Sequence, residues 1–253
     1  MVIKAILLDL DGTVYNGNKL IDGVDKAIEN MRMQNIQVAF CTNNSSKLPS
    51  SIALKLNKMG IDCCEPDILS SGMMAIKYVE KEKLDKVYIL GTEEIKSGFI
   101  SVGINVCDEN EAEVLVIGMD TEYNYEKMTK GLRAAIRSKK IILCNKDRYF
   151  EKEDGIYPGN GGMTSSILYC SNKEPDIIIG KPNTLMLEYF CRCQKYSKEE
   201  ILVIGDSDES DMAMADNFGC KSILISKTDK KDRVTIRSLK ETVYWDWSGE
   251  IWK

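Results

Sequence analysis

Apolar residues in this chain fall in short runs, separated by longer stretches in which apolar positions recur at helical intervals. The run from Ile3 to Leu8 ends on acids at Asp9 and Asp11, the pattern of a buried parallel strand. From Asp25 to Met33 the spacing of Ala27, Ile28 and Met31 predicts a helix, and Ile36 to Cys41 predicts the next strand. Leu48 to Met59 predicts a further helix that stops at Gly60. Toward the other end the same grammar returns, with helices over Leu185 to Cys193 and Asp211 to Phe218, and strands over Ile201 to Ile204 and Ser222 to Ile225. Such alternation predicts an α/β fold: a doubly wound, Rossmann-like core on a mainly parallel sheet.

The middle of the chain repeats the pattern. Strands are predicted over Val87 to Leu90, Val114 to Ile117 and Ile141 to Cys144, with helices over Glu93 to Val102 and Tyr125 to Ser138. That is too much material for a loop, so a second α/β domain over 72–176 is expected, inserted into a core formed by 1–71 and 177–253. The glycine-rich Pro158 to Gly162 reads as a turn into a helix starting near Met163.

Composition narrows the chemistry. With 253 residues, 43% hydrophobic, the chain can bury cores for two modest domains. A net charge of −5 with interspersed signs argues against a nucleic-acid polymer as partner. No apolar stretch is long enough for a membrane span. Nine cysteines with no secretory signal and no Cys-x-x-Cys pair predict a reducing, cytoplasmic setting. The chain has no histidine, which removes Ser-His-Asp triads, Cys-His pairs and histidine–zinc sites. Acid and base work would fall to carboxylates, lysine or tyrosine.

Four strand ends carry candidate chemistry. In Asp9-Leu10-Asp11-Gly12-Thr13 the two acids alternate along a strand and reach one site, where their repulsion calls for a cation or a retained proton. Taken alone the pair equally fits a solvated strand-to-turn junction. Thr42-Asn43-Asn44-Ser45 offers hydroxyls and amides where a helix start can hold phosphate, although the same residues also cap helices. Gly180-Lys181-Pro182 can project a cation from a loop. Asp206-Ser207-Asp208-Glu209-Ser210-Asp211 suits a hard cation, or an acidic helix start favoured by the helix dipole.

In this order and spacing the four segments resemble the motifs of the haloacid dehalogenase superfamily, over the whole chain. Asp-Gly-Thr-Val-Tyr, Thr-Asn-Asn-Ser, Pro158-Gly159-Asn160-Gly161-Gly162 and Gly-Lys-Pro are most similar to its NagD-like, or 4-nitrophenylphosphatase-like, branch. The resemblance implies a C2-type cap where the second domain falls. It also implies a phosphomonoester hydrolase working through an aspartyl-phosphate on Asp9, with Asp11 as acid and base. Mg²⁺ would be held by Asp9, the Asp11 carbonyl and Asp206. Thr42, Asn43, Asn44 and Lys181 would bind the phosphoryl group; Asp211 and Ser207 would orient the metal loop. Asn145 and Asp147 of the cap are implied to contact substrate, a small phosphorylated metabolite such as a sugar phosphate or nucleoside monophosphate. A homodimer through the cap is also implied. Asp208, Glu209 and a tail with Trp245, Trp247 and Trp252 depart from the family's usual pattern; the acids would tune substrate charge and the tryptophans would pack.

Two other classes compete. A receiver-like module that stores phosphate on an aspartate shares the acids and the lysine, but needs neither the insert nor a leaving-group acid. A nucleotide-binding regulator is disfavoured, because neither a Walker A loop nor a strand-linked Gly-x-Gly-x-x-Gly is present.

Overall fold

The computed structural model describes residues 2–152 and 154–247. Trp252 lies outside them. The chain divides into two compact units. The first comprises Met1–Thr42, Ile52–Leu69 and Lys181–Lys253; the second comprises Asn43–Ser51 and Ser70–Gly180. The segment Asn43–Ser51, which its position in the sequence assigns to the core, therefore packs with the inserted unit.

The first unit is built on a six-stranded sheet. Its strand order is Thr235–Ile236, Lys221–Ile225, Ile201–Gly205, Ala5–Leu8, Gln37–Thr42 and Ile68–Ser70. Ala5–Leu8 is wholly buried, as its unbroken apolar run requires of a strand covered on both faces. It pairs in parallel on both sides, Leu8 lying opposite Phe40 and Ile204. The chain thus winds away in both directions from this strand, and ligands of open α/β sheets bind beyond the carboxyl end at such a switch point. Asp9 stands there, its N–H still bonded to the Ile204 carbonyl at 2.9 Å.

Helix Val24–Met33 turns Ala27, Ile28 and Met31 into the core formed with Leu8, Phe40 and Leu56. The same core receives Trp247, fully buried, with Trp245 packed against it. Gln34 fastens this segment, donating to the Trp245 carbonyl at 2.8 Å and accepting from the Trp247 N–H at 2.7 Å. These two tryptophans are packing residues.

The second unit has a four-stranded parallel sheet ordered Ile177–Ile178, Lys140–Leu143, Val114–Ile117 and Val87–Leu90. Leu90, Leu115, Ile117, Ile141, Leu143 and Ile167 form its core. Three elements differ from expectation. A helix over Ser71–Lys81, capped by the Ser70 hydroxyl accepting from Met73 N–H, occupies the place of the predicted domain boundary. An antiparallel hairpin joins Tyr149–Lys152 to Gly155–Pro158. The following helix starts at Asn160 rather than Met163, because the buried Asn160 amide is drawn inward to the Asn145 carbonyl at 2.9 Å.

Among the described residues, no helix is long and apolar enough to cross a membrane.

Candidate active site

Lys181 organises the acids of the first unit. Its ammonium is 4% exposed and donates to Asp9 Oδ1 at 2.5 Å, to Asp211 Oδ1 at 2.6 Å and to the Cys41 carbonyl at 3.1 Å. An ammonium has three hydrogens to donate, and a buried cation needs such acceptors to offset its lost hydration. Burial works against the Lys181 charge, but Asp211 and then Asp9 outweigh it, so its pKa is raised and it stays an ammonium. For Asp9, burial pushes the carboxyl up, Lys181 pulls it down, and Asp211 and Asp206 push it up again.

Asp211 reaches this position through the local backbone. In place of a regular helix start, Asp208–Met212 forms a wide π turn, and only Ala213–Phe218 is α-helical. The turn lays the Asp211 carboxylate against the strand end, where it accepts from Ser207 N–H at 3.2 Å. Gly205 leaves the space: a Cβ there would stand 2.3 Å from the Asp211 carboxylate. The Ser207 hydroxyl accepts from Ser210 N–H and caps the turn.

Asp206 completes the acidic group. Oxygens of Asp9, Asp206 and Asp211 lie within 4.8 Å of one another. Asp206 keeps an outer face in solvent, while crowding on its inner side, followed by repulsion from Asp211, pushes its carboxyl up to about 6. Gly12 makes the approach feasible: its φ is +88°, and a Cβ would come 2.1 Å from Asp206 Oδ2. Three carboxylates thus face one ammonium. The donor set is all oxygen and the residual charge negative, which fits a hard divalent cation such as Mg²⁺.

Asp11 points elsewhere. Its carboxylate is outside the acidic group, and its Oδ2 accepts from the Tyr15 hydroxyl at 3.4 Å. Burial raises its pKa, against the pull of Lys55 and of the Tyr15 bond. Neither Tyr15 nor Lys55 stands out in the sequence as a site residue. Thr42 ends the neighbouring strand and is buried.

Within the second unit, the loop that follows Thr42 is tied down at several points. Asn145, 3% exposed, donates to the Asn43 carbonyl at 2.7 Å and the Ser45 hydroxyl at 3.2 Å. The Ser71 hydroxyl donates to the same Asn43 carbonyl at 2.7 Å. Asp147 accepts from Asn43 Nδ2 through both oxygens, at 3.0 and 3.1 Å. Asn44 Oδ1 accepts from the N–H groups of Ser46 and Lys47 and so shapes the turn. The side chains of Asn145 and Asp147, expected to meet substrate, also hold this loop in place. Asn145→Ala removes two hydrogen bonds but orphans neither acceptor, since the Asn43 carbonyl keeps the Ser71 hydroxyl and the Ser45 hydroxyl keeps the Met119 N–H. It should cost about 0.5–1.5 kcal/mol per lost bond in urea unfolding. An unchanged unfolding midpoint would show that the Asn145 amide carries none of the loop's stability.

Asp208, expected to tune substrate charge, is paired with Arg233 at 3.1 Å, and Arg233 also reaches Asp216 at 2.7 Å. This pairing joins the Asp206–Asp211 loop to the segment before Thr235–Ile236.

Comparison with known proteins agrees with this arrangement. Residues 6–105 match the haloacid dehalogenase-like hydrolase model, and residues 178–243 a HAD-hydrolase-like model. The chain is 34% identical over 222 residues to the sugar-phosphatase AraL of Bacillus subtilis, covering 87% of this chain and 82% of that one. It is 30% identical over 234 residues to the 5′-nucleotidase YutF of the same organism, covering 92% and 91%. Its structure is similar to that of a p-nitrophenyl phosphatase from Archaeoglobus fulgidus, with a TM-score of 0.89 at 26% identity, over 96% of this chain and 99% of that one. The hydrolase names of these relatives leave the phosphate-storage reading without support. With its motif acids and its lysine gathered at the sheet's switch point, the chain belongs to the haloacid dehalogenase-like hydrolases, as a phosphatase of their NagD-like branch.

Proposed function

We propose that this protein is a Mg²⁺-dependent phosphomonoester hydrolase that forms an aspartyl-phosphate on Asp9. The observation that carries this reading is the Asp9–Lys181–Asp211 trio, with Asp206 within ligand reach. A phosphate dianion repels a carboxylate nucleophile, so the site must first supply positive charge. Asp9, Asp206 and the Asp11 carbonyl would hold Mg²⁺, with Asp211 and Ser207 fixing the loop that carries Asp206. When bound, the ion supplies charge neutralisation for the phosphoryl oxygens.

The chain's own residues do the rest. A carboxylate oxygen of Asp9 attacks phosphorus in line; the bond to the leaving oxygen breaks and its electron pair stays with that oxygen. Asp11 donates a proton to it. Water then attacks the phosphorus of the acyl phosphate, Asp11 accepts the water's proton, and Asp9 is regenerated as phosphate departs. Lys181 balances charge throughout, and Thr42 would supply a donor to the phosphoryl oxygens. We take the substrate to be a small phosphorylated metabolite, a sugar phosphate or a nucleoside monophosphate. Relatives named as sugar phosphatases and a 5′-nucleotidase support that class. The cytoplasm is the compartment that suits the unpaired cysteines.

The test is turnover of 4-nitrophenyl phosphate with Mg²⁺, together with acid-quench trapping of a hydroxylamine-labile phosphoprotein. Full activity in excess chelator, or no labile adduct, would overturn the reading. Metal binding should also depend on pH. Because Asp206 without metal takes up a proton below about 6, protons compete with Mg²⁺ there. The apparent Mg²⁺ affinity, followed by calorimetry, should fall as pH drops through about 6 and level off above it. A flat profile from pH 5 to 8 would remove Asp206 from the metal site.

A further inference from the structure

Lys55 belongs to no motif that the proposed reaction uses, and Tyr15, the last residue of Asp-Gly-Thr-Val-Tyr, takes no step in it, yet both stand beside its acid. Tyr15 is 3% exposed and locked into the motif loop by backbone bonds: its N–H donates to the Leu10 carbonyl at 3.1 Å, and its carbonyl accepts from Gly12 N–H at 2.9 Å. Its hydroxyl donates to Asp11 Oδ2 at 3.4 Å. The half-buried Lys55, from helix Pro49–Lys58, sets its ammonium 3.6 Å from the centroid of the Tyr15 ring. A partly desolvated ammonium over an aromatic face is attracted by the ring's quadrupole, and covering that face restricts the ring. Among the described residues, Lys55 makes no ion pair with a carboxylate within 4.0 Å. The ring is its contact partner, and the Asp11 charge attracts it from farther off.

We propose that Lys55 is a positioning residue that acts through Tyr15. It clamps the ring so that the Tyr15 hydroxyl holds one oxygen of Asp11, which leaves the other turned toward the departing oxygen of the substrate. The inference rests on Asp11 being the leaving-group acid. A positioned general acid contributes about 10²- to 10⁴-fold, and that contribution matters most for leaving groups that depart poorly without a proton. Loss of the clamp should therefore appear as a change in leaving-group dependence rather than as a uniform loss.

The experiment measures kcat/KM for phenyl phosphate and 4-nitrophenyl phosphate in K55M, K55R, Y15F and D11N, with melting curves to verify folding. D11N sets the scale, with a loss on phenyl phosphate far exceeding the loss on 4-nitrophenyl phosphate. K55M and Y15F should lose about tenfold on phenyl phosphate and about twofold on 4-nitrophenyl phosphate, a fraction of the full acid effect. K55R, which keeps a cation over the ring, should return phenyl phosphate turnover to within about threefold of the parent. Equal losses on both substrates, or none, in folded K55M and Y15F would overturn the proposal while D11N remains selective. If K55M does not fold, Y15F and K55R decide. If D11N itself shows no selectivity, the acid role of Asp11 falls, and this inference with it.

Discussion

Asp9→Asn should abolish turnover of 4-nitrophenyl phosphate, by on the order of 10⁴-fold or more, and leave the protein folded. The substitution keeps the size of the side chain and removes the charge and the nucleophilic oxygen. A loss of 10⁴ corresponds to about 5.5 kcal/mol of transition-state stabilisation, more than any single hydrogen bond at this site would account for. Folding should survive because Lys181 keeps two of its acceptors, Asp211 and the Cys41 carbonyl, and one of three crowded carboxylates is gone. No phosphoprotein should accumulate in the acid quench. Residual turnover within tenfold of the parent would mean that Asp9 is not the atom that takes the phosphoryl group.

Lys181→Met should have the largest effect on stability. Its ammonium is the cation bonded to both Asp9 and Asp211, each of them buried. Removing one member of such a buried group leaves the others uncompensated, at a cost of about 3–5 kcal/mol at neutral pH. The loss should shrink as pH falls. Without Lys181, which pulls the Asp9 carboxyl down, the folded-state pKa of that carboxyl rises further above its unfolded value. The folded form then binds more protons than the unfolded one across that window, so the stability of K181M increases with acidification and declines as pH rises through the folded pKa. Urea midpoints at pH 8 and pH 5 should therefore lie closer to the parent's at the lower pH. A deficit independent of pH would assign the effect to packing rather than charge.

Much of the molecule is legible in its sequence. Strands Val87–Leu90 and Val114–Ile117 appear at their predicted bounds, because strands in a parallel sheet covered by helices are apolar throughout and their ends are sharp in sequence. Helix Ser71–Lys81 is not legible in this way: the predicted domain boundary falls inside it, and a serine such as its Ser70 cap marks linkers as readily as helix starts. Ile177–Ile178 is too short for a pattern of its own and exists through its register with Ile142 and Leu143. The hairpin after Tyr149 shows no alternation of buried and exposed positions along Gly155–Pro158, so period-2 reasoning has nothing to find.

At the site, Asp9, Lys181, Asp206 and Asp211 are legible because four strand-end segments, in this order and spacing, resemble the haloacid dehalogenase motifs; each segment alone fits a turn, a surface lysine or a helix start as well. What each side chain touches is not. Lys55 lies on one face of an ordinary amphipathic helix, and only tertiary packing sets it over Tyr15. Asn145 and Asp147 stand out by resemblance, but whether a polar side chain faces substrate or its own backbone depends on the tertiary fold. Here they face Asn43.

The grouping of Asn43–Ser51 with the inserted unit bears on how such enzymes could be recombined. A chimaera that exchanges only 70–180 for the corresponding piece of a relative would strand Asn43 and Ser45 among foreign neighbours, since their partners Ser71, Asn145 and Asp147 all travel with the donor. The transferable module is discontinuous: the graft has to carry both segments, with junctions after Thr42, after Ser51, before Ser70 and after Gly180.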